Sequence, residues 1–193
     1  MGPRLNIGCG GNLLNGWVNI DLAPIGHPDF VTADARSLPV ASDVAECAVM
    51  LDVIEHLHPV REATVALREA FRVLRPGGVL RVSTPDLMKL ARAYVEGRMS
   101  IFAASQPSWY QRVPSAAQFS AVAFGNNADT TPAGMYDGHQ ALYDEDSLTI
   151  ALREAGFREI VRQRVGESLS ETIRRDVRDR WPETALIIEG MKI

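Results

Sequence analysis

The chain has 193 residues and a mass of 21.2 kDa, enough for one well-buried core and short for two, so we expect a single domain over residues 1–193. With 46% hydrophobic and 23% charged residues, the composition argues against a mainly disordered, collagen-like or coiled-coil chain. The net charge is −4 and no long run of Lys or Arg occurs, which argues against nucleic acid as a partner.

The cysteine count and the lack of long apolar runs indicate the cellular compartment. Cys9 and Cys47 are too few for a disulfide framework and lack the spacing of a zinc site. The first ten residues contain no signal-type apolar core, and no apolar run reaches the length of a membrane span. We therefore expect a cytoplasmic protein without membrane insertion.

Short apolar runs predict the strands. The first four runs end in glycine or in a carboxylate, as buried parallel strands of ligand-binding sheets often do. The predicted strands are 5–7, 17–20, 30–32, 46–50, 79–82, 157–165 and 185–193.

Helices are predicted between these strands. Apolar residues at three- and four-residue steps predict a helix over 59–74, which the sequence at 75–78 ends. Asp86 is placed to cap a second helix and Asp144 a third, which ends at Gly156. Alternating strands and helices predict a doubly wound α/β sheet that binds its ligand beyond the carboxyl ends of the strands.

The segment 97–138 has weak periodicity and predicts an inserted lid that binds an acceptor. Its alternative roles are a hydrophobic core of the lid and a homodimer contact. It carries six aromatic residues: Phe102, Trp109, Tyr110, Phe119, Phe124 and Tyr136.

A glycine-rich turn follows the first predicted strand. Leu13 stands where a dinucleotide-binding fingerprint needs a small residue, so a dinucleotide site is disfavoured. Residues 8–17 separate the first two strands and leave room for about one helical turn. A pyrophosphate benefits from the N-terminus of a proper helix, whereas a sulfonium cation does not, so this shortened first crossover favours a sulfonium ligand.

Five segments carry the motifs of the chain: LNIGCGGNLLNGWVNIDL (5–22), ADARSLP (33–39), VMLDVIEHL (49–57), LRPGGVLRVSTPDL (74–87) and YDEDSLTIALREAGF (143–157). In this order and spacing they resemble class I S-adenosylmethionine-dependent methyltransferases, most closely small ones associated with cell-surface polysaccharide synthesis. The resemblance implies a Rossmann-like, seven-stranded sheet with its last strand antiparallel. It also implies S-adenosylmethionine as the cofactor and a small molecule or a saccharide hydroxyl as the acceptor.

The resemblance assigns the cofactor contacts around the first two strands. It places the backbone of Gly8, Cys9 and Gly10 against the methionine part and Asp21 on the ribose hydroxyls. The two oxygens of a carboxylate match a vicinal diol. Asn6, also assigned to the cofactor site, stands where an acidic residue is more usual. We expect Cys9 to serve as a small side chain in a crowded turn and not as a nucleophile, because no neighbouring basic residue would favour its thiolate.

The remaining contacts follow the third and fourth strands. The resemblance places Asp34 and Ala35 beside the adenine, and Leu51 and Asp52 beside the transferred methyl group. Without a ligand, Asp21 would only solubilise a strand end and Asp34 would only cap a turn.

His56 and His139 are the candidate catalytic residues. If the acceptor is a hydroxyl, a base must remove its proton, and an imidazole suits that step. Asp52, Glu55 and His56 resemble the ligand pattern of some metal-assisted methyltransferases, with Asp in place of the usual first Glu. Because Glu55 and His56 can also simply hold the start of a helix, we expect no metal.

Two other classes of function stay open. One is a nicotinamide- or nucleotide-sugar-binding Rossmann oxidoreductase, which Leu13 and the short crossover disfavour. The other is a non-catalytic module that keeps a cofactor fold as a scaffold. Comparative binding of S-adenosylmethionine and NAD distinguishes the oxidoreductase from a methyltransferase. Turnover with candidate acceptors distinguishes the non-catalytic module from an enzyme.

Overall fold

The computed structural model describes residues 2–24, 26–106, 108, 110–125 and 138–193. Its strands form a seven-stranded sheet in the order β3-β2-β1-β4-β5-β7-β6. They are β1 (Arg4–Ile7), β2 (Val18–Asp21), β3 (Phe30–Thr32), β4 (Ala45–Leu51), β5 (Leu74–Pro85), β6 (Arg158–Arg162) and β7 (Ala185–Met191).

The strand pairing confirms the predicted fold class. β1 to β5 pair in parallel, and β7 is antiparallel to both β5 and β6. The strand order reverses between β1 and β4, which is the point where doubly wound sheets bind ligands. The first crossover, residues 8–17, contains turns and no helix, as its length predicts.

Strand β5 begins earlier in the chain than the sequence predicts. It starts at Leu74, although residues 75–78 are predicted to form a break between the helix over 59–74 and a strand that begins at 79. Gly77 donates its N–H to the Lys192 carbonyl at 2.7 Å, and Lys192 donates to the Gly78 carbonyl at 2.9 Å. Hydrogen bonds with Lys192 therefore join this Pro- and Gly-containing stretch to the sheet, although Gly77 itself has a left-handed φ of 78°.

Helices cover the sheet. They are α1 (Thr64–Val73), α2 (Leu87–Val95), α3 (Ser115–Phe124), α4 (Glu145–Ala155) and α5 (Glu171–Asp176), with a π-helical turn at Pro59–Ala63 before α1. Asp86 accepts from the N–H groups of Met88 and Lys89, and Asp144 accepts from that of Ser147, so both predicted caps form. No helix in the described part of the chain is long and apolar enough to cross a membrane.

Two apolar layers enclose the sheet. On one face α1 and α4 contribute Leu67 and Leu152 to a core that includes Leu5 and Leu80 of the strands. On the other face Trp17, which is 2% exposed, packs in a cluster with side chains of β4 and of α5. α5 was not predicted, because its six residues are too few to show a helical period.

The segment 97–138 forms an apolar unit of its own where it is described. It contains 3₁₀ turns at Met99–Ser105 and Tyr110–Arg112, followed by α3. Phe102 and Tyr110 are buried against Leu90 of α2, and the Tyr110 hydroxyl donates to the Met99 carbonyl at 3.1 Å. These two rings serve the core of the segment, while Trp109 and Tyr136 lie outside the described residues.

A buried charge cluster joins the neighbouring strands β5 and β7 to the segment after α5. Arg81 donates to Asp179 at 2.6 Å and to Glu189 at 2.8 Å, and none of the three side chains is more than 4% exposed. Glu189 also accepts from the Leu169 N–H at 2.6 Å. Since buried charges are tolerated when they are paired and hydrogen-bonded, this cluster anchors the chain that leads to residue 180.

Replacing Arg81 by Met should lower the free energy of unfolding by about 3–5 kcal/mol, because it leaves two buried carboxylates without their cation. Urea unfolding measures the loss. The matched control is Arg174→Met, since Arg174 pairs with Glu171 at the surface, where both side chains are more than half exposed. We expect that control to change stability by less than about 1 kcal/mol. Equal losses in the two variants would contradict the anchoring role.

Candidate active site

The glycine turn packs directly against the segment that follows β4. Gly8 has a φ of 69°, in the left-handed region that favours glycine. A Cβ at this position would lie 2.6 Å from Cγ2 of Val53. The N–H groups of Gly8 and Cys9 both donate to the Ile20 carbonyl, at 2.8 and 3.0 Å. The turn is therefore fixed between β2 and the residues after β4.

Asp21 ends β2 beside this turn. Its carboxylate accepts from the Gly10 N–H at 2.8 Å and from the Ala23 N–H at 3.1 Å. Burial, reinforced by the charge of Asp21, raises the pKa of the Cys9 thiol to about 11. The thiol is protonated at neutral pH, which argues against a nucleophilic role for Cys9.

Asn6 lies beneath the turn rather than at its surface. Its side chain is 1% exposed and donates to the Asn12 carbonyl at 2.8 Å and to Oδ1 of Asn19 at 2.9 Å. Asn19 Oδ1 also accepts from the Leu14 N–H at 2.8 Å. This asparagine pair orders the short first crossover, and the part played by Asn19 was not predicted.

Asp34 and Ala35 follow β3 and border Asp21. The Ala33 N–H donates to the Asp21 carbonyl at 2.9 Å, which brings the chain after β3 to the end of β2. Arg36 donates from Nε to both oxygens of Asp34, at 2.9 and 3.0 Å. These bonds lower the pKa of Asp34, so its carboxylate is ionised and oriented.

β4 ends in a strained turn. Asp52 has a φ of 57°, unusual for a residue with a side chain, and its N–H donates to the Ser83 carbonyl at 2.9 Å. Leu51, the last residue of β4, is 7% exposed, and the turn leads into a 3₁₀ helix at Ile54–His56. Such strain persists where the surrounding structure enforces it, and it concentrates at functional sites.

A cavity of about 270 Å³ opens beside this turn. Its polar lining includes Asp52, Glu55, His56 and His139, and its apolar lining includes Phe102 and Trp181 among others. The residues that the structure describes thus bring both predicted catalytic histidines to one space.

The two imidazoles lie against each other. Their ring centroids are 5.0 Å apart with the planes at 72°. Burial lowers the pKa of His56, and burial together with His56 lowers the pKa of His139 to about 4. Both rings are neutral at pH 7 and can accept a proton.

The acidic side chains around these rings have raised pKa values. Burial raises the pKa of Asp52, which the guanidinium of Arg180 opposes from 4.0 Å. Burial and then the charge of Asp52 raise the pKa of Glu55 well above its usual value. Burial, assisted by Glu55, also raises the pKa of Tyr143 to about 12.

Five buried polar atoms around this turn lack a hydrogen-bond partner among the described residues. They are Asp52 Oδ2, Glu55 Oε2, Thr84 Oγ1, His139 Nδ1 and Tyr143 Oη. Since a buried polar atom without a partner costs about 1–3 kcal/mol, their concentration in one place indicates a site that a ligand completes.

Arg180 and Trp181 were not predicted, although both line the cavity. The Arg180 guanidinium lies 5.4 Å from the centroid of the Trp181 ring. They follow Asp179, which Arg81 holds at the sheet. No short-range pattern in the sequence marks residues 180 and 181, because a pairing between β5 and a distant segment places them here.

Comparison with known proteins decides the family. A family model described as "Methyltransferase domain" matches residues 6–163, most of the chain. The chain belongs to this methyltransferase family. The membership confirms the predicted class I S-adenosylmethionine-dependent methyltransferase, and with it the enzyme class and the cofactor expected from the sequence. It also removes the support for the oxidoreductase alternative.

Individual relatives match less of the sequence. The Ubiquinone/menaquinone biosynthesis C-methyltransferase UbiE of Salmonella arizonae is 36% identical over 77 residues, which cover 38% of this chain and 30% of that protein. The chain thus spans less than a third of the length of the curated relatives it matches.

Solved structures share the fold over the whole chain. A SAM-dependent methyltransferase from Methanosarcina mazei has a TM-score of 0.57 at 16% identity, covering 100% of this chain and 92% of that one. The Burkholderia thailandensis 1,6-didemethyltoxoflavin-N1-methyltransferase, solved with bound 1,6-didemethyltoxoflavin and S-adenosylhomocysteine, has a TM-score of 0.54 at 15% identity, covering 99% and 71%.

Asp21→Ala should weaken S-adenosylmethionine binding by about 1.5–3 kcal/mol, the scale of charge-assisted hydrogen bonds to one diol. Isothermal titration calorimetry measures the change. Asp29→Ala, an exposed carboxylate near the start of β3, is the matched control and should leave the affinity unchanged. If the folded Asp21→Ala variant binds as tightly as the parent protein, Asp21 is not the ribose ligand.

Proposed function

We propose that the protein transfers the methyl group of S-adenosylmethionine to a hydroxyl of a small molecule or a saccharide. The observation that carries this proposal is the pair of neutral imidazoles in one cavity, which begins one residue beyond β4 at Asp52. His56 and His139 each offer an unprotonated nitrogen, which a hydroxyl acceptor needs and a preformed anion does not.

The cofactor would lie across the carboxyl ends of β1 to β4. The backbone of Gly8, Cys9 and Gly10 would face its methionine part, and Asp21 its ribose. Asp34 and Ala35 would border the adenine. The contact between Gly8 and Val53 supports this arrangement, because it sets the turn beside the residues that line the cavity.

The methyl group would be presented at the end of β4. Leu51 and Asp52 form that end, and Asp52 also lines the cavity. Methyl transfer is an in-line displacement at a carbon that the sulfonium already activates, so the protein mainly aligns the reactants and excludes water. For Asn6 we propose an indirect role through the turn that it orders.

The size of the cavity favours a compact acceptor. About 270 Å³ is at the lower end of ligand cavities, which suits one ring rather than a long chain. Phe102 belongs both to the cavity wall and to the core of the segment 97–138, which supports a lid role for that segment. We also propose a cytoplasmic location, with a homodimer through the same segment as the alternative to a lid.

A panel of hydroxyl acceptors tests the proposal. Sugars, nucleotide sugars and phenols are incubated with labelled S-adenosylmethionine, and the product is identified by mass spectrometry. Methyl ether formation on one class of hydroxyl is the expected result. Cofactor binding without transfer to any acceptor would favour the scaffold alternative, and methylation of carbon or nitrogen would overturn the hydroxyl assignment.

The acid limb of the kcat profile should lie below pH 6.5, toward the pKa of about 4 for His139, because the base acts when unprotonated and burial lowers the pKa of both imidazoles. Chelator-treated protein is assayed between pH 4.5 and 8 with the acceptor found above.

Removing the base, by His139→Gln or His56→Gln, should lower kcat by about 10²–10⁴-fold while the affinity for the cofactor is kept. His27→Gln, in an exposed turn, is the matched control and should be fully active. Full activity in both cavity variants would contradict the base role.

A further inference from the structure

The two histidines proposed as bases form a cluster with Glu55, a side chain that methyl transfer by a base leaves without a role. Glu55, His56 and His139 each present one ligand atom, and these atoms lie within 4.8 Å of one another. Glu55 and His56 belong to the 3₁₀ helix after β4, and His139 follows the segment 97–138. The sequence places them far apart, and the fold brings them together.

Hydrogen bonds to the backbone set the tautomer of His56. Its Nδ1 lies 3.1 Å from the Gly138 carbonyl. A carbonyl only accepts, so Nδ1 carries the proton and Nε2 keeps its lone pair.

His139 leaves one ring nitrogen without a partner. Its Nδ1 is buried and has no hydrogen-bond partner among the residues that the structure describes. Histidines that bind metals characteristically donate their other N–H to a carbonyl or a carboxylate, as His56 does through Nδ1.

Glu55 supplies an oxygen that lacks a partner. Its side chain is 1% exposed, and Oε2 has no hydrogen-bond partner in the described part of the chain. The charge of Asp52, which acts on Glu55, has the same sign and cannot pair with it. Ionised Glu55 and the unprotonated nitrogens of two neutral imidazoles are all acceptors, so one cation can satisfy the three together.

We propose that Glu55, His56 and His139 bind one divalent transition-metal cation, with its remaining coordination positions open to the cavity. Two imidazole nitrogens and one carboxylate oxygen suit Zn²⁺, Co²⁺ or Fe²⁺ better than Mg²⁺, which prefers oxygen ligands and keeps several waters. Any proton that Glu55 holds leaves to solvent as the cation binds.

The site differs from the metal pattern considered from the sequence, and it revises the expectation of no metal. Asp52 was the third member of that pattern, but its Oδ2 lies 4.0 Å from the Arg180 guanidinium. His139 takes its place from a segment that no local motif connects to residues 52–56.

The role of the cation rests on the proposed function. An open coordination position at this cavity would bind the acceptor hydroxyl and lower its pKa, so that its proton leaves to solvent. With the cation bound, His56 and His139 would act through it instead of as free bases. Binding of the cation itself requires only the three side chains and does not depend on the identity of the acceptor.

Cobalt binding tests the inference. The full chain is dialysed against a chelator, freed of it and titrated with Co²⁺, followed by visible absorption and by calorimetry in two buffers of different ionisation enthalpy. We expect one Co²⁺ per chain, ligand-field bands of a mixed nitrogen and oxygen site, displacement by Zn²⁺, and a buffer-dependent heat that reports proton release. No Co²⁺ binding to the folded parent protein overturns the inference, whatever the variants do.

Glu55→Gln and His139→Gln should each weaken Co²⁺ binding by at least about tenfold, the lower limit found even for residues that only support a ligand. His27→Gln is the matched histidine control and should bind as the parent does. Undiminished binding in both cavity variants places the cation elsewhere and overturns the inference.

S-adenosylmethionine is titrated into the same preparations. A protein that binds the cofactor but no Co²⁺ refutes the metal site alone, whereas one that binds Co²⁺ but no cofactor refutes the proposed function alone.

Discussion

The parallel pairing of β1 to β5 is the constraint on which the rest of the structure depends. It brings the ends of these strands to one edge of the sheet, so that Ile7, Asp21 and Leu51 each release the chain at the same edge. After Ile7 and after Leu51 the chain turns through left-handed conformations, which Gly8 and Asp52 adopt. Backbone N–H groups and carboxylates are thereby left beside a ligand space instead of within the sheet.

The buried polar atoms without partners also lie at the carboxyl ends of the strands. The core on either face of the sheet is apolar, whereas Glu55, Thr84 and Tyr143 are buried at the edge without partners for their terminal atoms. Each such atom lowers the stability of the empty protein, and a bound ligand recovers that cost. The charge cluster around Arg81 differs because its members satisfy one another, and it holds β5, β7 and the segment before Trp181 together.

Local patterns in the sequence were sufficient for most of the sheet. The apolar runs before Gly8, Asp21 and Asp52 predict strands because burial on both faces of a parallel sheet demands continuous apolar residues. The caps at Asp86 and Asp144 were also predictable, because a helix start needs acceptors for its free N–H groups. The start of β5 at Leu74 was not, because it depends on pairing of Leu74 with Ala45 of β4 and on hydrogen bonds of Gly77 and Gly78 with Lys192.

The site was predictable in part. Glycines and carboxylates at strand ends are visible in the sequence, and so are histidines in general. The contact of His56 with His139 and the approach of Arg180 to Asp52 depend on how distant segments pack, which periodicity does not encode. The asparagine pair of Asn6 and Asn19 shows the same limit over a shorter distance.

A crystal structure with S-adenosylhomocysteine tests the central claim most directly, which is that the glycine turn and the cavity form one continuous reaction site. The account predicts the homocysteine sulfur at the end of β4, with its open side toward His56 and His139, and the ribose hydroxyls on Asp21. A product bound at this edge with its sulfur directed away from the cavity, or bound elsewhere on the protein, would contradict it.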